Sequence, residues 1–224
     1  LVLWFRTRMQ PAQNVPIYSL NGFRISCAHW DMALSNGHLV YLIGNDDSHD
    51  VTDITDVATR FTMINAPENE SEQLLQALEK GSAVGVDFPV KRDETLEQKI
   101  NRLKKNLPHI TQVELKGDTL FVAASKTFSK IKFIGQEGKV LNSQKNKKSA
   151  FYIIQPEDNY VRTELAFKDG TTLYLNPITR HENATVEKQR LDHINWTKTI
   201  IFWSIYAVII FVFARRILVK KKTV

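Results

Sequence analysis

The chain has 224 residues, 30 Lys and Arg against 24 Asp and Glu, a formal charge of +6 and a single cysteine. That length supplies one medium core or two small ones, and one cysteine excludes a small secreted domain stapled by disulfides. The charge invites a nucleic-acid reading, but Arg215, Arg216, Lys220, Lys221 and Lys222 lie beyond the last acid and leave residues 1–198 with 25 bases against 24 acids. On net charge that body offers no phosphate-tracking surface, so no nucleic-acid partner is expected.

The first residues, Leu-Val-Leu-Trp-Phe and then Arg-Thr-Arg, read either as the tail of an apolar segment or as a first strand. No charged n-region, apolar h-region and cleavage site follow in order. Asn21-Gly22 and Asn36-Gly37 are hairpin signals. They frame "VPIYSL", "FRISCAHWDMAL" and "HLVYLIG" as a three-stranded meander. On such a strand Cys27, His29 and Asp31 share a face. Their Cα atoms would lie about 6.5 Å apart with side chains running parallel, a poor geometry for a thiol nucleophile.

Asp50 then caps an expected amphipathic helix with Val51, Ile54, Val57, Ala58, Phe61 and Ile64 on one face, closing a first region at 1–65. The stretch "NDDSHDVTDITD" gathers carboxylates suited to a hard cation, with Asp46, Asp47 and Asp50 as the candidates. It lacks the EF-hand spacing, and Asp50 and Asp53 also suit the helix as cap and dipole partners.

Residues 66–126 form the next region. Ser71 opens a helix through Lys80 that Gly81 stops, "SAVGVDF" is a strand, and Asp93 caps a helix carrying Leu96, Ile100, Leu103 and Leu107 that Pro108 ends. "ITQVELK" and "TLFVAA" follow as strands around Lys116-Gly117-Asp118, completing a β-α-β-β sandwich module. Over about residues 82–124 this order resembles the small modules of secretion-system ring-building proteins and POTRA domains. The resemblance implies a role in assembly.

Residues 127–178 read as all-β, with "KIKFIG", "KVL", "AFYIIQ", "YVRTELAF" and "TTLYLN" as strands and a tight turn at Lys168-Asp169-Gly170. "NSQKNKKS" reads as a solvated basic loop. A juxtamembrane stalk is expected over 179–198, a transmembrane helix over 199–219 and a basic cytoplasmic tail over 220–224.

Thr199 to Ala214 is free of charge for 16 residues, about 24 Å of helix against a hydrocarbon core of about 30 Å. Lys198 and Arg215 can snorkel to the headgroups, Ile217 to Val219 lengthen the span, and Trp196, Trp203 and Tyr206 suit an interface. Dense Lys and Arg after the span place the body outside the cytoplasm. A bacterial inner membrane with a periplasmic body is favoured over the endoplasmic-reticulum lumen, although Lys221-Lys222-Thr223-Val224 resembles a dilysine retrieval signal.

The chemistry is sparse. His109, His181 and His193 lack helical metal spacing, and no Walker loop, Rossmann fingerprint, G-x-S-x-G or H-E-x-x-H occurs. No cofactor is expected. The expected fold class is α+β: an extracytoplasmic body of β-meander, β-α-β-β module and all-β region, followed by one C-terminal transmembrane helix. The expected role is a non-enzymatic, membrane-anchored subunit whose body binds other membrane or envelope proteins, as a hetero- or homo-oligomer in the bilayer. The alternatives are a ligand-sensing receptor subunit and a membrane-tethered hydrolase built around His29 and Asp31.

Overall fold

The computed structural model describes residues 17–21, 26–180 and 196–221, with the backbone alone described for 17–21, 26, 214 and 216–221. Two compact units result, Leu1–Glu187 and Lys188–Val224. The expected stalk falls almost wholly on 181–195, outside the described residues.

The first described elements form not a meander but a β-α-β turn of chain. Strand β1 (Ile17–Asn21) lies parallel to β2 (Tyr41–Asn45), and helix α1 (Ser26–Ser35) connects them. The residues read as a second strand are this helix. Trp30, Asp31 and Leu34 are buried on it while Ala28, His29 and Met32 are exposed, a helical stripe interrupted by one carboxylate. That buried acid hides the helical period from a pattern reading. Asn36-Gly37 ends the helix rather than turning a hairpin. Gly37 sits at φ +83, its N–H donates to Leu34 O (3.0 Å), and His38 N–H donates to Ala33 O (3.0 Å). These are the paired bonds of a Schellman cap, which needs a left-handed residue and so takes glycine.

The helix expected from Asp50 is also replaced. Residues 51–58 run in turns and bends, and Arg60–Ile64 form strand β3. Asp50 accepts from Thr52 N–H and Oγ1, and Asp53 does the same for Thr55. Such side-chain bonds satisfy backbone donors without a helix and compete with it. Thr62 Oγ1 ties β3 to β2, accepting from Gly44 N–H (2.8 Å) and donating to Gly44 O (2.9 Å). The strands approach so closely that a Cβ on Gly44 would lie 2.3 Å from the Phe61 carbonyl oxygen.

Helix α2 (Ser71–Glu79) and strand β4 (Ala83–Asp87) follow where the sequence places them. Helix α3 (Leu96–Asn106) is capped by Thr95, not Asp93. Gln98 N–H donates to Thr95 Oγ1 (3.2 Å) and Thr95 N–H returns to Gln98 Oε1 (2.9 Å), a reciprocal capping box.

Five further strands complete the main sheet: β5 (Ile110–Lys116), β6 (Thr119–Ile134), β7 (Val140–Ile153), β8 (Tyr160–Ala166) and β9 (Thr172–Thr179). The order is β3-β4-β9-β8-β6-β5, with β7 on the other edge of β6. Strand β6 serves two neighbours along one edge. Its first half pairs with β5 and its second half with β8, across a register break between Ala123 and Phe128. The expected β-α-β-β module does not close on itself, since β9, β8 and β6 separate β4 from β5. "NSQKNKKS" is strand, inside β7, rather than loop.

Both faces of the sheet centre are covered. Val84, Val86, Ile110, Leu120, Val122, Phe128, Ile131, Phe133, Leu165 and Leu173 belong to the larger core, with Leu103 of α3 and Leu107 at its C-cap packed against it. On the other face Trp30 and Leu34 of α1 meet Leu39 to Leu42 and Tyr160. Each large apolar side chain so covered contributes about 1.5–3 kcal/mol. Alternation along β8 supplies both cores: Val161 and Leu165 to the first, Tyr160 to the second.

Candidate functional site

Helix α4 (Trp196–Lys221) makes up the described part of the second unit. Its 26 residues rise about 39 Å, enough to cross a hydrocarbon core of about 30 Å. Trp196–Phe213 is long and apolar enough to span a membrane, and none of it is buried against protein. Trp203 is 76% exposed and Tyr206 64%, on a helix whose Ile, Val and Phe residues point in every direction. The hydroxyl of Ser204 is satisfied within the helix, donating to Ile200 O at 2.8 Å. Lys198 and Arg215 bracket the apolar run and are exposed, Arg216, Lys220 and Lys221 continue the helix, and Lys222 lies outside the described residues. An apolar cylinder without protein cover is unstable in water and stable in lipid, where every backbone group is already paired.

In the body, the densest polar constellation lies under α1. Arg162, 3% exposed, donates from Nε to Asp31 Oδ1 (2.6 Å) and from Nη2 to Asp31 Oδ2 (2.7 Å), while its Nη1 reaches Glu164 Oε1 (2.6 Å). Glu164 Oε2 in turn accepts from Lys132 Nζ (3.0 Å), and Tyr160 OH donates to Asp31 Oδ1 (3.0 Å). The guanidinium lies 5.0 Å from the Trp30 ring. All three guanidinium nitrogens are used. Burial opposes the charge on Glu164, but Arg162 and Lys132 outweigh it and hold its pKa below the ordinary value. Burial acts against Arg162 too, and its two carboxylates raise its pKa nevertheless.

This cluster joins three segments that the sequence gives no reason to group. Arg162 and Glu164 flank Thr163 and lie between Val161 and Leu165 on β8, polar positions that read as a solvent-facing side. Burial raises the pKa of Cys27 despite the nearby Arg162, so the thiol stays protonated at neutral pH. His29 is exposed, whereas Asp31 is buried with both oxygens engaged. The structure does not bring these three residues together as a reacting group.

The carboxylates of the 46–56 stretch are turned onto their own loop. Asp46 accepts from Ala58 N–H (2.6 Å), from Thr59 N–H and Oγ1, and from Arg60 N–H. Asp56 accepts from His49 N–H and Asp50 N–H. Asp47 takes a left-handed conformation and is exposed, and among the described residues no group of three or more ligand-type side chains could hold a metal ion. Beneath this loop the fully buried Lys99 donates to Ile54 O (2.7 Å) and Val57 O (2.5 Å). Burial lowers its pKa, partly offset by Asp46 and Glu94. These are fastenings of a loop.

A cleft of about 260 Å³ opens between Leu115, Ile154, Val161 and Ile178, with Asp118 and Arg180 at its rim. It falls below the roughly 300–1,000 Å³ of small-molecule sites. Its Asp158 is engaged by Tyr152 OH (2.7 Å) and Gln155 N–H (2.8 Å).

Compared with family models, curated proteins and solved structures, the chain matches none.

Proposed function

We propose that this protein is a non-enzymatic, membrane-anchored subunit: α4 crosses the bilayer once, and the α+β body stands on the extracytoplasmic side and joins other proteins of a membrane complex. The observation that carries the reading is the uncovered apolar helix bracketed by Lys198 and Arg215. The side follows from charge, since five Lys and Arg lie within eight residues at the end of the span and dense positive charge resists translocation. Assembly is supported by what the body lacks and what it offers. Asp31, Lys99 and Arg162 are consumed in internal bonds, while among the described residues the long strand β7 pairs on one edge only and exposes Val140, Phe151 and Ile153.

Two measurements test the reading. Carbonate washing should leave the full-length chain in the membrane, and protease added to spheroplasts should digest the body; release by carbonate, or a body protected in intact spheroplasts, would overturn the anchor or its orientation. Native electrophoresis of gentle detergent extracts should show the chain above its monomer mass. A monomer without co-purifying chains removes the assembly role and leaves the anchor standing.

A further inference from the structure

The near-neutral net charge of the body conceals a strong segregation. Residues 31–98 hold fourteen acids against four bases, a formal −10, whereas residues 99–148 hold twelve bases against three acids, a formal +9. The positive half concentrates on the β6–β7 ribbon. Between Lys126 and Lys148 there are seven lysines and one glutamate.

Register makes this more than composition. Lys130 stands directly opposite Lys145, and Lys147 opposite Phe128. Lys126 Nζ donates to Asn106 O, which brings the last turn of α3, with Lys104 and Lys105, beside the same stretch. Among the described residues, Lys126, Lys130, Lys145, Lys147 and Lys148 form no ion pair. Like charges directly opposed on neighbouring strands are destabilising.

A structural explanation covers part of this. Lysines on an edge strand discourage pairing with another sheet, which accounts for Lys145, Lys147 and Lys148 on β7. It does not account for Lys130, which lies on β6 between Lys145 and Ala166 and has no free edge to protect.

We propose that the lysine ribbon of β6 and β7 is a docking surface for the anionic lipid headgroups of the bilayer that carries α4; this rests on the reading of α4 as a membrane anchor. A body tethered to a bilayer meets the headgroups at high effective concentration, and each lysine engaged strengthens attachment to an anionic surface by about fivefold. The rival complement is the acidic half of a second copy. Several of its acids are committed: Asp31 to Arg162, Asp46 and Asp56 to loop N–H groups, Glu94 to Arg102. Among the described residues Lys130, Lys145 and Lys148 form no ion pair, and headgroups surround a tethered body even where other copies are sparse, so lipid is the better match.

The test uses the full-length protein reconstituted into liposomes of phosphatidylcholine alone or phosphatidylcholine with phosphatidylglycerol. Hydrogen exchange is followed over residues 126–148, where one edge of β7 is unpaired among the described residues. The proposal expects exchange in β7 to slow by at least about fivefold in the phosphatidylglycerol liposomes, and raised salt to relieve this. The effect should disappear in K130Q/K145Q/K147Q/K148Q and in K145Q/K147Q/K148Q, the latter confined to exposed positions. Equal exchange in both compositions overturns it. So does slowing that follows protein density in phosphatidylcholine, which would assign the ribbon to a second copy. A carbonate wash of the same liposomes tests the anchor separately: loss of the chain there sinks the anchor reading, while lipid-dependent slowing before the wash still reports on the ribbon.

Discussion

The body contains two sets of charges that behave in opposite ways. Under α1, Asp31, Arg162, Glu164 and Lys132 form a chain of bonds in which every guanidinium nitrogen has a carboxylate. Along β6 and β7, five lysines form no ion pair among the described residues, and two of them face each other. The first set is closed and explains how a helix is held to a sheet. The second is open and looks outward for its counter-charge. Buried ionic groups therefore say little about function here, and exposed, uncompensated ones say more.

The contrast breaks most visibly at Arg162. Replacing it with Leu leaves Asp31 buried without its cation and Glu164 with Lys132 alone, and unfolding of the full chain in detergent should show a loss of about 3–5 kcal/mol. Removing both members in D31L/R162L should cost clearly less, because the buried Asp31 carboxylate is gone and Glu164 keeps Lys132. If the double variant is as damaged as the single one, the network is not a closed pair.

The anchor responds to a charge in the middle of the span. Ile205→Arg should disfavour insertion by about 2.5–3.5 kcal/mol and shift the chain toward the carbonate-soluble fraction. The contact of the two sheets comes next: Gly44→Ala places a methyl group against the Phe61 carbonyl, and overpacking of that kind costs about 1–3 kcal/mol in thermal unfolding.

A pH effect separates a third ionic pair from the network. Glu94 accepts from Arg102 Nε (2.7 Å) and Nη2 (2.7 Å), and this holds its pKa at about 2 instead of 4.5. A carboxylate depressed in the folded state stabilises it fully above the unfolded pKa and loses that contribution as pH falls. Stability should therefore decline between pH 4.5 and about 2, with a shallower decline in Glu94→Gln. The smallest effect is expected from the ribbon. K145Q/K147Q/K148Q should change thermal stability by no more than about 0.5 kcal/mol, because those exposed side chains form no ion pair in the body.

Legibility followed the range of the interactions. The α2, β4 and α3 elements lie close to where glycine stops and apolar spacing put them, and β5, β8 and β9 follow their alternation, whereas β6 joins the stretches read as two strands on either side of a region boundary at 126. Errors fell where a polar residue did a tertiary task. Asp31 in the buried stripe of α1 made a helix look like a strand. The Asx bonds of Asp50 and Asp53 dissolved an expected helix. Lysines within β7 made a strand look like a loop. The network under α1 was invisible in advance, since Asp31 and Arg162 lie 131 positions apart.

By itself the sequence determined the uncovered apolar helix and its basic end, because the preference of a helix for lipid is a local sum over its own side chains. The tertiary structure alone decided which charges in the body are spent and which remain free. Pairing depends on strand register and helix docking, and these bring together residues from distant parts of the chain.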